Sequence, residues 1–130
     1  MTSSASIPVR PLSVLVVEDN KDGADSLALY LRHCGHQVRL AYDGAHAFQA
    51  VQARAYDAVI CDLKMPRLRG DEFYLKAKEM RPILSDRFIF ITAFAADPKI
   101  ALFLTTHHLK YLVKPFPVQG LINSVKELFS

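Results

Sequence analysis

Cysteine is scarce in this sequence and long apolar runs are absent, and both observations exclude classes of protein. Two cysteines among 130 residues are too few for a disulfide framework or a zinc motif. We therefore expect Cys34 and Cys61 to be buried, reduced thiols. No apolar run approaches the ~20 residues that a transmembrane helix needs, and residues 1–11 lack the apolar segment of a signal peptide. The sequence thus predicts a cytoplasmic protein with no membrane insertion, in which residues 1–11 are a flexible leader or linker and residues 12–130 form one domain.

A large excess of charge of one sign is also missing. The formal net charge is +3, and the lysines and arginines stand mostly singly, without the signature of a helix-turn-helix, zinc or RNA-recognition domain. The one local cluster of basic residues, Lys64, Arg67 and Arg69, follows Asp62 and is assigned to the site described below. We therefore predict no direct binding of nucleic acid.

Short apolar runs at regular intervals predict the strands of a parallel sheet. Four of these runs are rich in valine, isoleucine and phenylalanine and are separated by helical patterns, as is typical of strands buried on both faces. A fifth run, at residues 37–40, alternates polar and apolar residues like an edge strand. The predicted strands span residues 13–17, 37–40, 56–62, 88–92 and 111–114.

A helical pattern follows each predicted strand. The first pattern is an apolar stripe that stops at Gly35, a residue suited to a left-handed helix cap. The other predicted helices begin near residues 44, 71, 98 and 118. Five strand–helix units with right-handed crossovers predict an α/β fold, in which helices cover both faces of a doubly wound parallel sheet.

Polar residues stand where four of the predicted strands end. Glu18 and Asp19 follow the first strand, Asp62 ends the third, Thr92 the fourth and Lys114 the fifth. The carboxyl ends of parallel strands form the edge of the sheet where ligands bind. Two like charges ~4 Å apart repel by about 4 kcal/mol at an effective dielectric near 20, so three carboxylates need a cation or one must take up a proton. Ligation by oxygen alone suits Mg²⁺.

The remaining polar groups suit phosphoryl chemistry. A lysine binds phosphoryl oxygens as a point charge, a threonine hydroxyl can donate a hydrogen bond to one of them, and a carboxylate can accept a phosphoryl group covalently. These residues and their spacing resemble the receiver domain of two-component response regulators, the CheY-like superfamily, over residues 12–129. The segments that carry the resemblance are residues 14–20, residues 62–66 with Gly70, residues 91–93 and residues 111–116.

The resemblance implies a fold and a role for each residue of the site. The fold is a flavodoxin-like three-layer sandwich with a five-stranded sheet in the order 2-1-3-4-5. Asp62 would accept a phosphoryl group from a phosphohistidine, and Lys114 would neutralise the phosphoryl oxygens. Mg²⁺ would be held by Glu18, Asp19, the Asp62 carboxylate and the backbone carbonyl of Lys64.

The resemblance also implies a switch. Thr92 would move to bond the phosphoryl group, and Tyr111 would fill the space that Thr92 leaves. That movement would change the face formed by helix 4, strand 5 and helix 5. Residues 100–104 place five consecutive apolar residues on helix 4. Because a helix lying on a sheet buries only one stripe, we expect some of them to face outward and to support self-association or partner docking.

Three features depart from the family pattern. Arg69 stands where an acidic residue often precedes the loop glycine, and His107-His108 stand where the family commonly has Gly-Ala, so helix 4 is expected to end differently. Lys64 and Phe94, each two positions after a key residue, form a bulky pair beside the site. None of these departures removes a residue that phosphorylation needs.

Two other functions share part of the pattern. A phosphohydrolase of the haloacid dehalogenase type also forms an aspartyl phosphate, but it needs a second acid at the position of Lys64. A docking module derived from a receiver normally lacks the acceptor or the lysine, and both are present here. We therefore predict a non-enzymatic phosphoacceptor whose partner is a histidine kinase or a histidine phosphotransfer protein. The chain is interpreted as a stand-alone regulator or, with slight preference, as the receiver of a hybrid histidine kinase.

Overall fold

The structure is a computed structural model that describes residues 10–64 and 68–129. Most of the predicted leader lies outside the described residues, as do Met65, Pro66 and Arg67 of the predicted phosphoacceptor loop. Within the described part of the chain, no helix has the length and apolar character needed to span a lipid bilayer.

The described chain forms one parallel sheet with helices on both faces. The strand order is β2-β1-β3-β4-β5, as predicted, and every neighbouring pair is parallel. The strands are β1 (Ser13–Val17), β2 (Gln37–Ala41), β3 (Ala58–Asp62), β4 (Phe88–Thr92) and β5 (Lys110–Val113). The helices are α1 (Lys21–His33), α2 (Gly44–Ala53), α3 (Gly70–Met80), α4 (Pro98–Thr106) and α5 (Val118–Glu127), and a 3₁₀ turn (Pro82–Asp86) precedes β4.

The strand order creates a crevice at the carboxyl edge of the sheet. From β1 the chain first adds β2 on one side and then crosses to add β3 on the other. The connections that leave β1 and β3 therefore diverge, and this switch point is where ligands bind in doubly wound sheets. Glu18 and Asp62 lie on its two sides.

Alternation along the strands divides the core between the two faces of the sheet. Leu15, Val59 and Phe90 point toward the side of Phe73 and Tyr74, which belong to α3. Val14, Ile60 and Ile91 point toward the other side and pack with residues of α1 and α5, including Leu31, Leu121 and Val125. The central strands β3 and β4 are buried along their full length, as their continuous apolar sequences predict.

The ends of α1 and α4 have the same hydrogen-bond pattern but different residues at the critical position. After α1, Gly35 has a φ of 95°, and the N–H of His36 donates to the carbonyl of Leu31 at 3.1 Å. After α4, His108 has a φ of 53°, and the N–H of Leu109 donates to the carbonyl of Leu104 at 3.0 Å. Both are helix ends closed by a left-handed residue, so Gly35 has its predicted role and His108 takes the same role without being glycine.

The prediction that the fifth strand is buried on both faces is wrong. Tyr111 and Val113 expose 47% and 46% of their surface. The reason is position: β5 pairs only with β4 and forms the second edge of the sheet. The strand also begins and ends one residue earlier than predicted, and β3 begins at Ala58 rather than at residue 56. Asp57, just before β3, accepts a 2.7 Å hydrogen bond on its carboxylate from the N–H of Ser13.

The two cysteines differ in burial, so the prediction of two buried thiols is wrong for one of them. Cys61 lies in the middle of the sheet and is fully buried, and burial raises the pKa of its thiol. Cys34 is exposed because it follows the last turn of α1, beyond the buried Leu31. Both thiols are free.

Candidate functional site

Three carboxylates meet at the crevice between β1 and β3. One carboxylate oxygen of each of Glu18, Asp19 and Asp62 lies within 4.8 Å of the other two. Glu18 and Asp62 are buried, and Asp19 is exposed. The N–H of Glu18 donates to the carbonyl of Ala41 at 3.0 Å, which continues the β1–β2 ladder by one residue. The sheet thus brings together three acids that are 44 positions apart in sequence at their widest.

Lys114 joins the two buried acids. Its Nζ lies 2.7 Å from Oε2 of Glu18 and 2.8 Å from Oδ2 of Asp62. The backbone of Lys114 is held by β4, because its N–H donates to the carbonyl of Thr92 at 2.8 Å. The peptide bond from Lys114 to Pro115 is cis.

The electrostatics of this cluster favour a further cation. Burial, together with the nearby charge of Asp62, raises the pKa of Glu18 to about 7, although Lys114 opposes this shift. Burial acts to lower the pKa of Lys114, but its hydrogen bonds to Asp62 and Glu18 outweigh burial and raise the pKa above 10.5. One ammonium group therefore faces three carboxylates. An all-oxygen site with surplus negative charge and an exposed side at Asp19 fits the ligand preferences of Mg²⁺.

Glycine at position 70 allows the first residue of α3 to lie against the backbone of Asp62. A Cβ at Gly70 would collide with the backbone carbonyl oxygen of Asp62. The Gly70 N–H donates to the carbonyl of Leu63 at 3.1 Å, and the Lys64 N–H donates to Oδ1 of Asp62 at 3.0 Å. The loop therefore fixes the Asp62 carboxylate from its backbone side. A second close approach, between Gly44 and the carbonyl of Leu68, was not apparent from the sequence, since it joins the start of α2 to the segment before α3, which is distant along the chain.

Thr92 and Tyr111 lie on adjacent strands but do not share the same space. Thr92 is buried, and its Oγ1 accepts a 2.9 Å hydrogen bond from the N–H of Phe94. Tyr111 is the register partner of Phe90, whereas the partner of Thr92 is Val113. In this state, therefore, the Tyr111 side chain is about half exposed beside the site rather than packed under Thr92.

The bulky pair beside the site makes direct contact. Nζ of Lys64 lies 4.0 Å from the centroid of the Phe94 ring and 4.0 Å from Oδ2 of Asp97. Asp97 was not singled out from the sequence, although an aspartate before a proline at a helix start is a capping signal. Arg69 is paired with acids of α3, Asp71 at 2.9 Å and Glu72 at 3.3 Å.

Comparison with known proteins agrees with the geometry of the site. CpdR, a response regulator receiver protein of Brucella abortus (strain 2308), is 30% identical over 115 residues, which are 88% of this chain and 94% of CpdR. ZraR, a transcriptional regulatory protein of Escherichia coli O157:H7, is 30% identical over 110 residues, or 85% of this chain. That match covers 24% of ZraR, so the chain spans about a quarter of that relative's length.

A solved structure and a family model extend this agreement. The receiver domain of a sensor histidine kinase from Pseudomonas aeruginosa PAO1 was crystallised with a magnesium ion coordinated in its active site cleft. It aligns with a TM-score of 0.82 at 26% identity and covers 93% of this chain and 100% of that domain. The sequence model of the response regulator receiver domain matches residues 14–126. With its five parallel strands in the order 2-1-3-4-5 and its acidic crevice, the chain belongs to the response regulator receiver domain family of two-component systems.

Proposed function

We propose that Asp62 accepts a phosphoryl group from the phosphohistidine of a histidine kinase or histidine phosphotransfer protein. A carboxylate oxygen of Asp62 attacks phosphorus, the P–N bond breaks, and its electron pair remains on the imidazole nitrogen. The observation that carries this proposal is the position of Lys114, whose Nζ is 2.8 Å from Asp62 and can follow the charge onto the phosphoryl oxygens.

The same cluster would hold Mg²⁺. Its ligands would be the carboxylates of Glu18, Asp19 and Asp62 and the backbone carbonyl of Lys64, a set of oxygens that suits this ion. When bound, Mg²⁺ would neutralise charge on the phosphoryl oxygens during transfer. The buried Glu18 contributes a second function, since it orients Lys114 through the 2.7 Å contact between Oε2 and Nζ.

Phosphorylation would be reported through Thr92. The Thr92 hydroxyl, which now accepts the N–H of Phe94, would reorient to donate its own hydrogen to a phosphoryl oxygen. Tyr111 would then move inward from its half-exposed position. The modification would bias an equilibrium between two packings of the face formed by α4, β5 and α5, because it adds charge at one end of that face.

The same face supplies a surface for self-association or for a partner. Leu102 on α4 exposes 68% of its surface, and Tyr111 and Val113 on β5 are about half exposed. Exposed apolar residues on adjacent elements of one face are candidates for an interaction site. Sedimentation of the parent and of Leu102→Glu, with and without beryllofluoride, tests this surface; a monomer in both states whose charged variant still binds its kinase would exclude it.

In this proposal the chain is a signalling domain whose only chemistry is the self-catalysed gain and loss of a phosphoryl group. It would act in the cytoplasm together with its kinase. Its context stays a prediction, since the similar proteins include both regulators and the receiver of a sensor kinase. The slight preference for a hybrid histidine kinase rests on the form of the first helix.

Labelling of the purified chain tests the proposal. Acetyl phosphate or a phosphohistidine donor with Mg²⁺ should introduce one phosphoryl group, at Asp62, and EDTA should prevent it. Asp62→Asn should abolish labelling, whereas Asp25→Asn, which changes an exposed acid of α1, should leave it unchanged. Persistent stoichiometric labelling of Asp62→Asn, mapped to another residue, would falsify the assignment.

A further inference from the structure

One side chain connects the phosphoacceptor with the segment that starts α4. The backbone N–H of Lys64 donates to Oδ1 of Asp62 at 3.0 Å. Its ammonium group lies 4.0 Å from the centroid of the Phe94 ring and 4.0 Å from Oδ2 of Asp97. The backbone of Lys64 thus touches the site while its side chain lies across the loop between β4 and α4.

Asp97 is the residue on which α4 begins. Its Oδ1 accepts hydrogen bonds from the N–H groups of Lys99 at 2.9 Å and Ile100 at 3.4 Å, which satisfies donors at the first turn. Its other oxygen is the one that Lys64 approaches. The carboxylate therefore has two partners, the helix and the lysine.

The loop is held from the site at both ends. At its start, the N–H of Phe94 donates to Oγ1 of Thr92 at 2.9 Å. The Lys64 ammonium contacts the ring of the same Phe94 and, at the end of the loop, the carboxylate of Asp97. Every one of these contacts uses a group that a phosphoryl oxygen on Asp62 could attract, namely the threonine hydroxyl and the lysine ammonium.

The contacts of Lys64 are weak enough to be exchanged. The side chains of Lys64 and Asp97 are 50% and 35% exposed, and ion pairs and cation–π contacts at this exposure contribute little to stability. A phosphoryl group adds a charge of about −2 and three strong acceptor oxygens. It would stand on the carboxylate next to the Lys64 backbone, within the range of a flexible lysine side chain.

We propose that Lys64 exchanges partners on phosphorylation, leaving Phe94 and Asp97 to bind a phosphoryl oxygen on Asp62. The inference rests on the proposed phosphoacceptor function and goes beyond it by assigning a second cation to the phosphoryl group. The exchange frees the Phe94 ring and removes the cation from the carboxylate that caps α4. The phosphoryl signal therefore reaches the first turn of α4 by a route that does not pass through Tyr111.

The exchange predicts opposite effects for its two partners. Beryllofluoride at saturating Mg²⁺ serves as the phosphoryl analogue for the full chain. Two quantities are measured: its apparent dissociation constant, and the change that it causes in the amide NMR shifts of Lys99 and Ile100. Lys64→Met should weaken binding about fivefold, the effect of one partly exposed charged hydrogen bond, and should reduce the shifts on α4. Lys64→Arg should restore both. Asp97→Asn keeps an oxygen for the cap but removes the charge, so it should bind the analogue about threefold more tightly.

A double variant separates the exchange from the general effect of charge. In the Lys64→Met background, Asp97→Asn should have no effect on affinity, because no lysine remains to be released. Lys99→Met, which removes a neighbouring exposed cation of α4, is the matched control and should reduce binding less than Lys64→Met. Unfolding transitions of all variants establish that each one is folded.

Two results would overturn the exchange. The first is a Lys64→Met variant that binds beryllofluoride as tightly as the parent and shows the same shifts on α4. The second is an Asp97→Asn effect of equal size in both backgrounds. A parent protein that gives no beryllofluoride response beyond that of Asp62→Asn would instead contradict the phosphoacceptor function, and the exchange would fall with it.

Discussion

The two sides of the carboxyl edge are built differently. On the inner side, Glu18, Lys114 and Asp62 form contacts of 2.7 and 2.8 Å among groups that are buried or partly buried. On the outer side, Lys64 and Asp97 are half to one-third exposed and 4.0 Å apart. The inner cluster suits chemistry that needs fixed positions, and the outer one suits a contact that changes partners. Under the proposed function, the reaction would occur on the inner side and its readout on the outer side, within a few residues of Asp62.

Removing the inner lysine should have the largest effect. Lys114→Met leaves Glu18 and Asp62 without their shared cation, so phosphotransfer from a phosphohistidine donor should slow on the order of 100-fold, the effect of losing one preorganised charged donor. Rapid-quench measurements of phosphoryl labelling give this rate. Lys110→Met breaks only the exposed pair with Glu127 at 3.4 Å and should leave the rate unchanged. Equal rates in the two variants would contradict the assignment of Lys114.

Adding one methyl group behind Asp62 should disturb the inner side next most. In Gly70→Ala the new Cβ meets the Asp62 carbonyl oxygen, so we expect a loss of about 1–3 kcal/mol in the free energy of unfolding together with slower labelling. In Gly120→Ala the nearest heavy atom is 4.0 Å away, and a gain of about 0.5–1 kcal/mol is expected for alanine within a helix. Denaturant unfolding of both variants tests the contrast, which fails if both substitutions act in the same direction.

The lifetime of the phosphoryl group should depend on the outer side. Hydrolysis needs an in-line water, and we expect the side chain of Lys64, bound to the phosphoryl oxygens after the exchange, and the neighbouring Phe94 ring to obstruct that approach. We expect the parent to lose its phosphoryl group more slowly than Lys64→Asn, Phe94→Glu, by about tenfold, or about 1.4 kcal/mol in the barrier. The single variants show which residue dominates. Identical half-lives in the parent and double variant would exclude this shielding.

A substitution at the C-terminal end of α4 should have a smaller effect on the free energy of unfolding. His108 adopts a φ of 53°, which costs an L residue roughly 1–2 kcal/mol, so His108→Gly should raise the free energy of unfolding by about 0.5–1 kcal/mol after the entropy of glycine is included. His107→Gly is the matched control. It should destabilise the protein, because the His107 ring packs on Phe103 and Tyr74 with centroids 5.0 and 5.6 Å apart. Destabilisation by His108→Gly would contradict this explanation.

Protonation of His36, at the end of the sheet opposite the site, should have the smallest effect on the free energy of unfolding. It tests a contribution to stability that does not involve the site. Nδ1 of His36 accepts the N–H of Leu12 at 3.1 Å. Burial lowers the pKa of His36 below its usual 6.5, although the nearby Asp57 opposes this. Below pH 6.5 the unfolded chain binds the proton more readily than the folded one, so this contribution to stability is present above pH 6.5 and is lost as the pH falls through the folded pKa.

His36→Asn tests this linkage, because the asparagine oxygen can accept the same hydrogen bond without titrating. Unfolding free energies of the parent and the variant are compared from pH 7.5 to pH 5. The parent should lose more stability than the variant over this interval. A constant difference between the two proteins would show that His36 does not titrate differently on folding.

The central strands and the inner site could be predicted from the sequence because each depends on a local pattern. Apolar runs such as residues 88–92, short and rich in isoleucine and phenylalanine between helical patterns, favour buried strands, and parallel strands bring their carboxyl ends to one edge. The exposure of β5 could not be predicted from its own residues. Tyr111 and Val113 are residue types typical of a core, and they are exposed because the strand order places β5 at the edge of the sheet.

The outer side was predicted less completely because it depends on tertiary contacts. The proximity of Lys64 and Phe94 was expected from the resemblance, but the part played by Asp97 was not, since it depends on where α4 begins relative to the loop after β3. The approach of Gly44 to the Leu68 carbonyl joins the backbone at the start of α2 to the backbone before α3. Backbone contacts of this kind leave no pattern of side chains in the sequence.

The contact between Lys114 and Glu18 spans 96 positions of the chain, and this has a consequence for folding. Such a contact requires closure of a large loop, and Lys114 is positioned by the pairing of β5 with β4. A chain in which β5 is unpaired would therefore hold the acids of the crevice without their ammonium group. By thermodynamic linkage, an ion that binds only the completed crevice stabilises the whole domain by RT ln(1 + [L]/Kd).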